Sequence, residues 1–346
     1  MTFVSRSAFS ALLSSFLALW PLAAAAQAPS DPIRGALSVM PQAVMPSDGA
    51  GPVQIEFGNP RALEPVVALQ SVRGALTLPP VAAALSRSLP GGMRNATLLT
   101  DPGGFEATTG LRLTDLGQML SIGRPPARVD LVSVAPDAAG RVVSALTGTG
   151  HEVVQQQGNI FILARGAEGA IDPAGREPAN PFGGPLGQSS RFLVTGGVLV
   201  HATAMPMIEA VAAGAAPRMV EHPGLSALLS GLDAAAGGAG ALVQATALLG
   251  GDRSDILVAD LANGAEETAI LVIATADTAA AEALAARLPE LPGGPFDIAV
   301  HAGTPASVSL RLTQPRDFSQ PIARSGPADS LQTLLFRGDL DRVLEP

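Results

Sequence analysis

Two stretches of this chain repeat one order of hydrophobic patterns. In VDLVSVAPDAAGRVVSALTGTGHEVVQQQGNIFILAR, residues 129–165, a strand-like run meets Asp137 as a helix cap. A helical pattern then reaches the Gly148 region, and two further strands follow around Gly158-Asn159. Residues 268–313 present the same order: TAILVIATA reads as a strand, Asp277 caps an Ala-rich helix, PELPGG turns, and PFDIAVHA and ASVSLRLT form a hairpin. Ala281, Leu284, Ala285 and Leu288 fall at the i, i+3, i+4, i+7 spacing of one buried helix face. A β-α-β-β order met twice predicts an α+β fold of two related modules, with mixed or antiparallel sheets and helices packed on one face.

The rest of the chain fits around these units. Residues 27–52 are rich in Pro, Gly, Ser and Ala and read as an extended N-terminal arm. In PVQIEFG, Val53, Ile55 and Phe57 alternate as a strand does, and Pro-initiated helical patterns follow over 60–72 and 79–89. NATLLTD and GFEATTGLRL, separated by DPGG, read as a β-hairpin over 95–113. TDLGQMLSIG reads as a helix capped by Thr114 or Asp115 over Leu116, Met119 and Leu120. Residues 166–190 hold ten Gly or Pro in 25 positions and mark a linker or long surface loop. The expected division is therefore a first domain over 53–165, a second over 191–313, and a tail over 314–346 whose Leu331, Leu334 and Leu335 share a helix face.

The first residues place the protein. MTFVSRS, the apolar run AFSALLSSFLALWPL and the small residues AAAAQA predict a secretory signal peptide cleaved after Ala26. The apolar run is shorter than the ~20 residues of a spanning helix. The expected location is periplasmic, with an extracellular one as the alternative. Removing 26 of 346 residues leaves 320, enough for a large core. With no Cys, disulfides and thiolate chemistry are excluded, and burial of Ala, Val and Leu must supply stability.

Charge and aromatic content narrow the function classes. All 21 basic residues are Arg; after cleavage 20 remain against 30 acids, a net −10, so a nucleic-acid partner is not expected. Absence of Lys excludes Schiff-base chemistry. The one Trp leaves with the signal, Tyr is absent and eight Phe remain, too few for the stacking platforms that bind sugars or single strands.

Candidate sites are sparse. GGVLVHATAMPMIEA, residues 196–210, gathers His201, Met205 and Met207, donors that suit copper. Leu199 and His201 share one strand face, however, and Pro206 starts a helix, so the three side chains are not expected to converge. His151-Glu152 opens like a zinc-protease motif, but position 155 is Gln in a predicted strand. Glu221-His222-Pro223 reads as a helix start, His301 lies in a strand, and Ser226 after Gly224 sits in a helical pattern without the second Gly of an esterase elbow. The Gly-rich stretches at 179–188 and 237–242 lack phosphate-loop spacing, and Glu266-Glu267 and Asp339/Asp341 read as solvated surface acids. No catalytic, cofactor or metal residue is assigned, and no cofactor is expected.

The segments TGLRLTDLGQMLSIGRPPARVDLVSVAPDAAGRVVSALTGTGHEV, GGVLVHATAMPMIEAVAAG and MVEHPGLSALLSGL together resemble exported bacterial proteins of unknown function, over about residues 110–290. The resemblance implies a repeated α+β architecture and brings no catalytic residue. The function expected is non-enzymatic binding of an envelope protein or a small ligand. The alternative is a hydrolase whose Ser, His and carboxylate come from distant positions.

Overall fold

The structure, a computed structural model, describes residues 28–46, 51–73, 76, 78–93, 96–124, 127–250, 254–292, 294–322, 325–337 and 339–344. The signal peptide expected over 1–26 lies outside the described residues. In chain order the elements are α1 (Asp31–Val39), β1 (Val53–Gly58), α2 (Glu64–Val72), α3 (Pro80–Ser88), α4 (Ala96–Thr100), α5 (Pro102–Thr109), β2 (Leu116–Arg124), β3 (Ala127–Val134), α6 (Ala139–Gly148), β4 (Glu152–Gln157), β5 (Ile160–Arg165), β6 (Ser190–Val194) and β7 (Val198–Ala202). They continue with α7 (Met205–Ala213), α8 (Pro223–Ala236), β8 (Ala241–Leu249), β9 (Ile256–Ala262), β10 (Glu266–Thr275), α9 (Thr278–Ala285), β11 (Asp297–His301), β12 (Ala306–Pro315), α10 (Gly326–Phe336) and α11 (Asp339–Leu344). The fold is α+β.

Two compact units form, and they do not follow the chain linearly. Unit 1 gathers Gly35–Ser47 with Pro90–Met219; unit 2 gathers Ala26–Arg34, Asp48–Leu89 and Val220–Pro346. Residues 166–190, expected to separate two domains, lie wholly within unit 1. The physical reason is long-range strand pairing: β1 runs antiparallel to β8, Val53 opposite Leu249 and Gly58 opposite Gln244, and draws the segment around it into the C-terminal unit.

Unit 1 carries strands in the order β2-β3-β7-β6-β5-β4, and unit 2 in the order β11-β12-β10-β9-β8-β1. The registers described within each sheet are antiparallel. Both β-α-β-β orders are present, as β3-α6-β4-β5 and β10-α9-β11-β12, but their hairpins attach differently. In unit 2 the return strand β12 pairs directly with β10; in unit 1 β6 and β7 intervene before β3 is reached.

The unit 2 sheet is covered on both faces, where one covered face was expected. Ala269, Leu271 and Ile273 of β10 pack with Leu284 of α9 and Leu331 and Leu334 of α10. The opposite face meets α8, whose Gly231 lies so close to Val272 and Ser307 that a β-carbon there would come within 2.6 Å of each. The unbroken apolar run TAILVIAT is the sequence counterpart of a strand buried twice over.

Three local expectations are corrected. The arm over 27–52 was expected to be extended, yet Asp31–Val39 is helical, because Ile33, Ala36, Leu37 and Met40 form one buried stripe. Within 95–113, expected as a hairpin, residues 96–100 and 102–109 form α4 and α5. In DPGG the Asp101 carboxylate accepts from the Gly104 amide at 2.9 Å and Pro102 occupies the first turn, so the apparent turn is a helix start. TDLGQMLSIG, expected as a helix, forms β2: Leu116, Met119 and Leu120 fit a helical spacing, but residues on both faces of the strand are buried.

Candidate functional site

Register alone brings a polar row together inside unit 1. Ser121 of β2 stands opposite Asp130 of β3, Asp130 opposite His201 of β7, and His201 opposite Phe192 of β6. Since alternate residues share a face, these four side chains lie side by side across the sheet. Asp130 accepts from Ser121 Oγ at 2.7 Å and from His201 Nδ1 at 2.9 Å, and Arg128, two residues back on the same face, donates to it from Nε at 3.1 Å.

Burial works to raise the Asp130 pKa, but the Arg128 charge and the hydrogen bonds from His201 and Ser121 outweigh it and hold the carboxyl below its ordinary range. His201 is shifted down by its burial, against the pull of Asp130. Its proton therefore sits on Nδ1. Nε2 is buried with no hydrogen-bond partner, and the centroid of the His201 ring lies 5.1 and 5.4 Å from those of Phe192 and Phe182. This order, Ser to Asp to His, differs from a nucleophile relay, in which the imidazole must stand between hydroxyl and carboxylate.

A second Ser–His contact lies nearby. His151 Nδ1 faces the Leu146 carbonyl at 3.1 Å, so that nitrogen donates, and Nε2 accepts from Ser190 Oγ, also at 3.1 Å. Burial first, then the Arg165 charge, push the His151 pKa down to about 4. The imidazole is thus a neutral acceptor at pH 7, but a backbone carbonyl holds the position a triad gives to a carboxylate. Both residues are buried, Ser190 at 1 % and His151 at 3 % exposure.

The remaining sequence candidates disperse. Met205 opens α7, its backbone amide donating to Glu168, so the Met side chains are placed by a helix start while His201 is held by Asp130. Among the described residues no group of three or more His, Asp or Glu is arranged to hold a metal ion. Glu152 is exposed on β4. His222 stands at the N-cap of α8 and Ser226 in its first turns. His301 Nε2 meets Ser309 Oγ at 2.8 Å. The Asp341 side chain lies outside the described residues.

Glu266-Glu267 needs correction: Glu266 is exposed, whereas Glu267 is buried and takes ion pairs from Arg87 and Arg316. Neighbours on a strand point to opposite faces, so two adjacent surface acids cannot both face water when one face is packed. Arg87, Asp260, Asp130 and Ser121 were missed. The available signal was a single charge inside an apolar strand, as in VDLVSV and DILVADLA.

The 166–190 stretch is an ordered loop with its own bonds. Asp172 N donates to Gly187 O at 2.8 Å, Glu177 N to Gly184 O at 2.9 Å, and Asn180 bridges Glu177 Oε2 and Phe182 N at 3.0 Å each. Phe182 anchors it by packing edge-on against Phe192, centroids 5.5 Å apart. The loop walls a cleft of about 450 Å³ lined by Thr149, Arg165, Asp172, Arg176, Glu177 and Gln188, among others. Half-buried Arg165 pairs with Glu177 and donates to Thr149 O at 3.1 Å, while Arg176 is exposed. The lining thus offers two guanidinium groups, two carboxylates, and hydroxyl and amide groups, with no excess of either charge.

No protein-family model and no curated protein matches the chain. Among solved structures it is similar to crystal form I of TP0453, with 8 % identity and a TM-score of 0.35, covering 86 % of this chain and 95 % of that one.

Proposed function

We propose that this is an exported, non-enzymatic binding protein of the cell envelope, and that the cleft beside the 166–190 loop receives a small polar ligand bearing both charges, such as an amino acid or short peptide. The cleft carries this reading: Arg165 and Arg176 suit a ligand carboxylate, and Asp172 and Glu177 suit its ammonium group. The expectation of export supports the envelope setting. Sealing of the Ser190–His151 and Asp130–His201 contacts supports binding over hydrolysis.

Thermal unfolding in the presence of amino acids and dipeptides tests the proposal. Ligands of this class raise Tm for the native chain, by an amount set by concentration over Kd, and Arg165→Met abolishes the rise. An equal rise in Arg165→Met overturns the cleft assignment. Ester or peptide turnover lost in Ser190→Ala overturns the non-enzymatic reading and establishes the hydrolase.

A further inference from the structure

The base of the 166–190 loop is fastened around one imidazole. His151 stands between the end of α6 and the start of β6: its Nδ1 meets Leu146 O and its Nε2 meets Ser190 Oγ, each at 3.1 Å. The ring packs edge-on against Phe192, centroids 5.3 Å apart, and Phe192 is the ring on which the loop's Phe182 rests. Two arginines complete the fastening. Arg191 donates from Nη1 to Arg165 O at 2.7 Å and from Nη2 to Gly166 O at 2.8 Å, clasping the start of the loop to its end. Arg165 reaches Thr149 O at 3.1 Å and pairs with Glu177. Within the loop base, Ser189 N donates to Ala170 O at 2.9 Å and Asp172 N to Gly187 O at 2.8 Å.

The charges around this ring are arranged against a proton. Arg165 of β5, Arg191 of β6 and His201 of β7 all oppose it. The neighbouring acids are engaged elsewhere: Glu177 with Arg165 and Asn180, Asp130 with His201 and Arg128, and Glu168 with the Met205 amide. From α6 the ring meets the Leu146 carbonyl and the Thr149 hydroxyl, and Glu152 of β4 is exposed. Ser190 can turn its hydroxyl to accept from a protonated Nε2, so the hydrogen bond itself does not resist the proton. A third cation beside two guanidinium groups, out of reach of water, does. It is relieved where water reaches the ring, and the loop is the layer built to yield. Of its large apolar side chains Ile171 and Leu186 are exposed and Phe182 alone is buried, and it leaves β5 through Gly166 at φ 72°.

We propose that His151 is an acid-sensitive latch: neutral, it keeps the base of the 166–190 loop closed over Phe192; protonated, it opens that base and with it the wall of the cleft. The latch acts on the loop itself, with or without a ligand in the cleft.

Native-state hydrogen exchange read by NMR, as protection factors at pH 7.5 and pH 5, tests this. A ring that titrates at about 4 under the closed loop and at 6.5 once wet favours opening by about thirtyfold at the lower pH. Protection of the Asp172 and Ser189 amides should fall by that factor, while amides of β3 and β7 in the same unit keep theirs. His151→Asn, whose amide can face both Leu146 O and Ser190 Oγ without titrating, should show the same loop protection at both pH values. Should that variant not fold, imidazole titration of the native chain serves instead: with four histidines to resolve, His151 should titrate well below the ordinary range, and a value near 6.5 removes the latch. Loop protection that ignores pH, or that falls equally in His151→Asn, overturns the proposal. So does a fall shared by β3 and β7, since the proton would then be taken up by global unfolding, and so does a fall confined to the edge strand β4.

Discussion

Arg87 holds Asp260 by two parallel bonds, Nε to Oδ2 at 2.8 Å and Nη2 to Oδ1 at 2.7 Å, with each side chain 1 % exposed. The third guanidinium nitrogen reaches Glu267, which Arg316 also contacts. Two cations and two carboxylates thus close a network that ties the C-terminal end of α3 to β9 and β10. Planar two-point pairing is a property of guanidinium, and every cation in this chain is Arg.

Replacing Arg87 by Met leaves Asp260 buried without its cation, and the expected loss is about 3–5 kcal/mol in urea unfolding. Lys at this position keeps the charge but not the fork, and should recover less than half of the loss. A Met variant within about 1 kcal/mol of the native protein would show that water or Arg316 compensates the pair.

Such a network marks the limit of what local pattern reveals. β1, β3, β4, β5, β7, β10, β11, β12, α2, α3 and α9 were legible because each carries an apolar pattern bounded by a turn or cap: Asp277 does accept from the Ala280 amide, at 2.8 Å. By contrast Asp137 caps nothing, its carboxylate pairing with Arg141 at 3.1 Å while Ala138 takes the N-cap position. β2 was misread because Leu116, Met119 and Leu120 fall at helical spacing behind the cap-like pair Thr114-Asp115, in a strand whose two buried faces leave no alternation to oppose that reading. The cleft and the Ser121–Asp130–His201 row were illegible for a different reason. Both depend on register between strands up to 80 residues apart, which no short window contains.

The buried imidazoles give stability a pH dependence whose sign follows from their direction. Burial and Arg165 hold His151 at about 4, against an ordinary value of 6.5. Below pH 6.5 the unfolded chain therefore takes up a proton that the folded chain refuses, and stability falls until about pH 4. The group contributes up to about 3 kcal/mol across that window. His201 and His301, also shifted down by burial, act in the same direction. Around His151 stand Arg165, Arg191 and His201, all opposing its protonation. Urea midpoints measured from pH 7.5 to 4 should fall, and His151→Asn should flatten part of the slope; a midpoint rising on acidification would contradict the assignment.

Two glycines in helices should respond oppositely to Ala. At Gly231 a β-carbon would lie 2.6 Å from both Val272 Cγ1 and Ser307 Oγ, so the clash outweighs the gain in helix propensity and about 1–3 kcal/mol is lost. At Gly140 of α6 nothing lies within 4 Å, and the same change should stabilise by about 0.5–1 kcal/mol. Differential scanning calorimetry of the two variants should show Tm shifts of opposite sign.

Asp130 and His201 provide the sharpest test of the unit 1 core, because each satisfies a group that the other leaves exposed to an apolar environment. Asp130→Leu strands the buried His201 Nδ1 proton and the Ser121 hydroxyl, and should lose about 3–5 kcal/mol. His201→Phe removes one donor from a carboxylate that keeps Ser121 and Arg128, and it adds a ring to the Phe182–Phe192 cluster in place of an imidazole whose Nε2 has no partner. Its loss should be smaller, about 1–2 kcal/mol. In the double variant the unsatisfied Nδ1 proton disappears with the carboxylate that bound it, so the double loss should fall short of the summed single losses by about 1–3 kcal/mol. Additive losses in urea unfolding would mean that the 2.9 Å contact between the two side chains carries no free energy of its own.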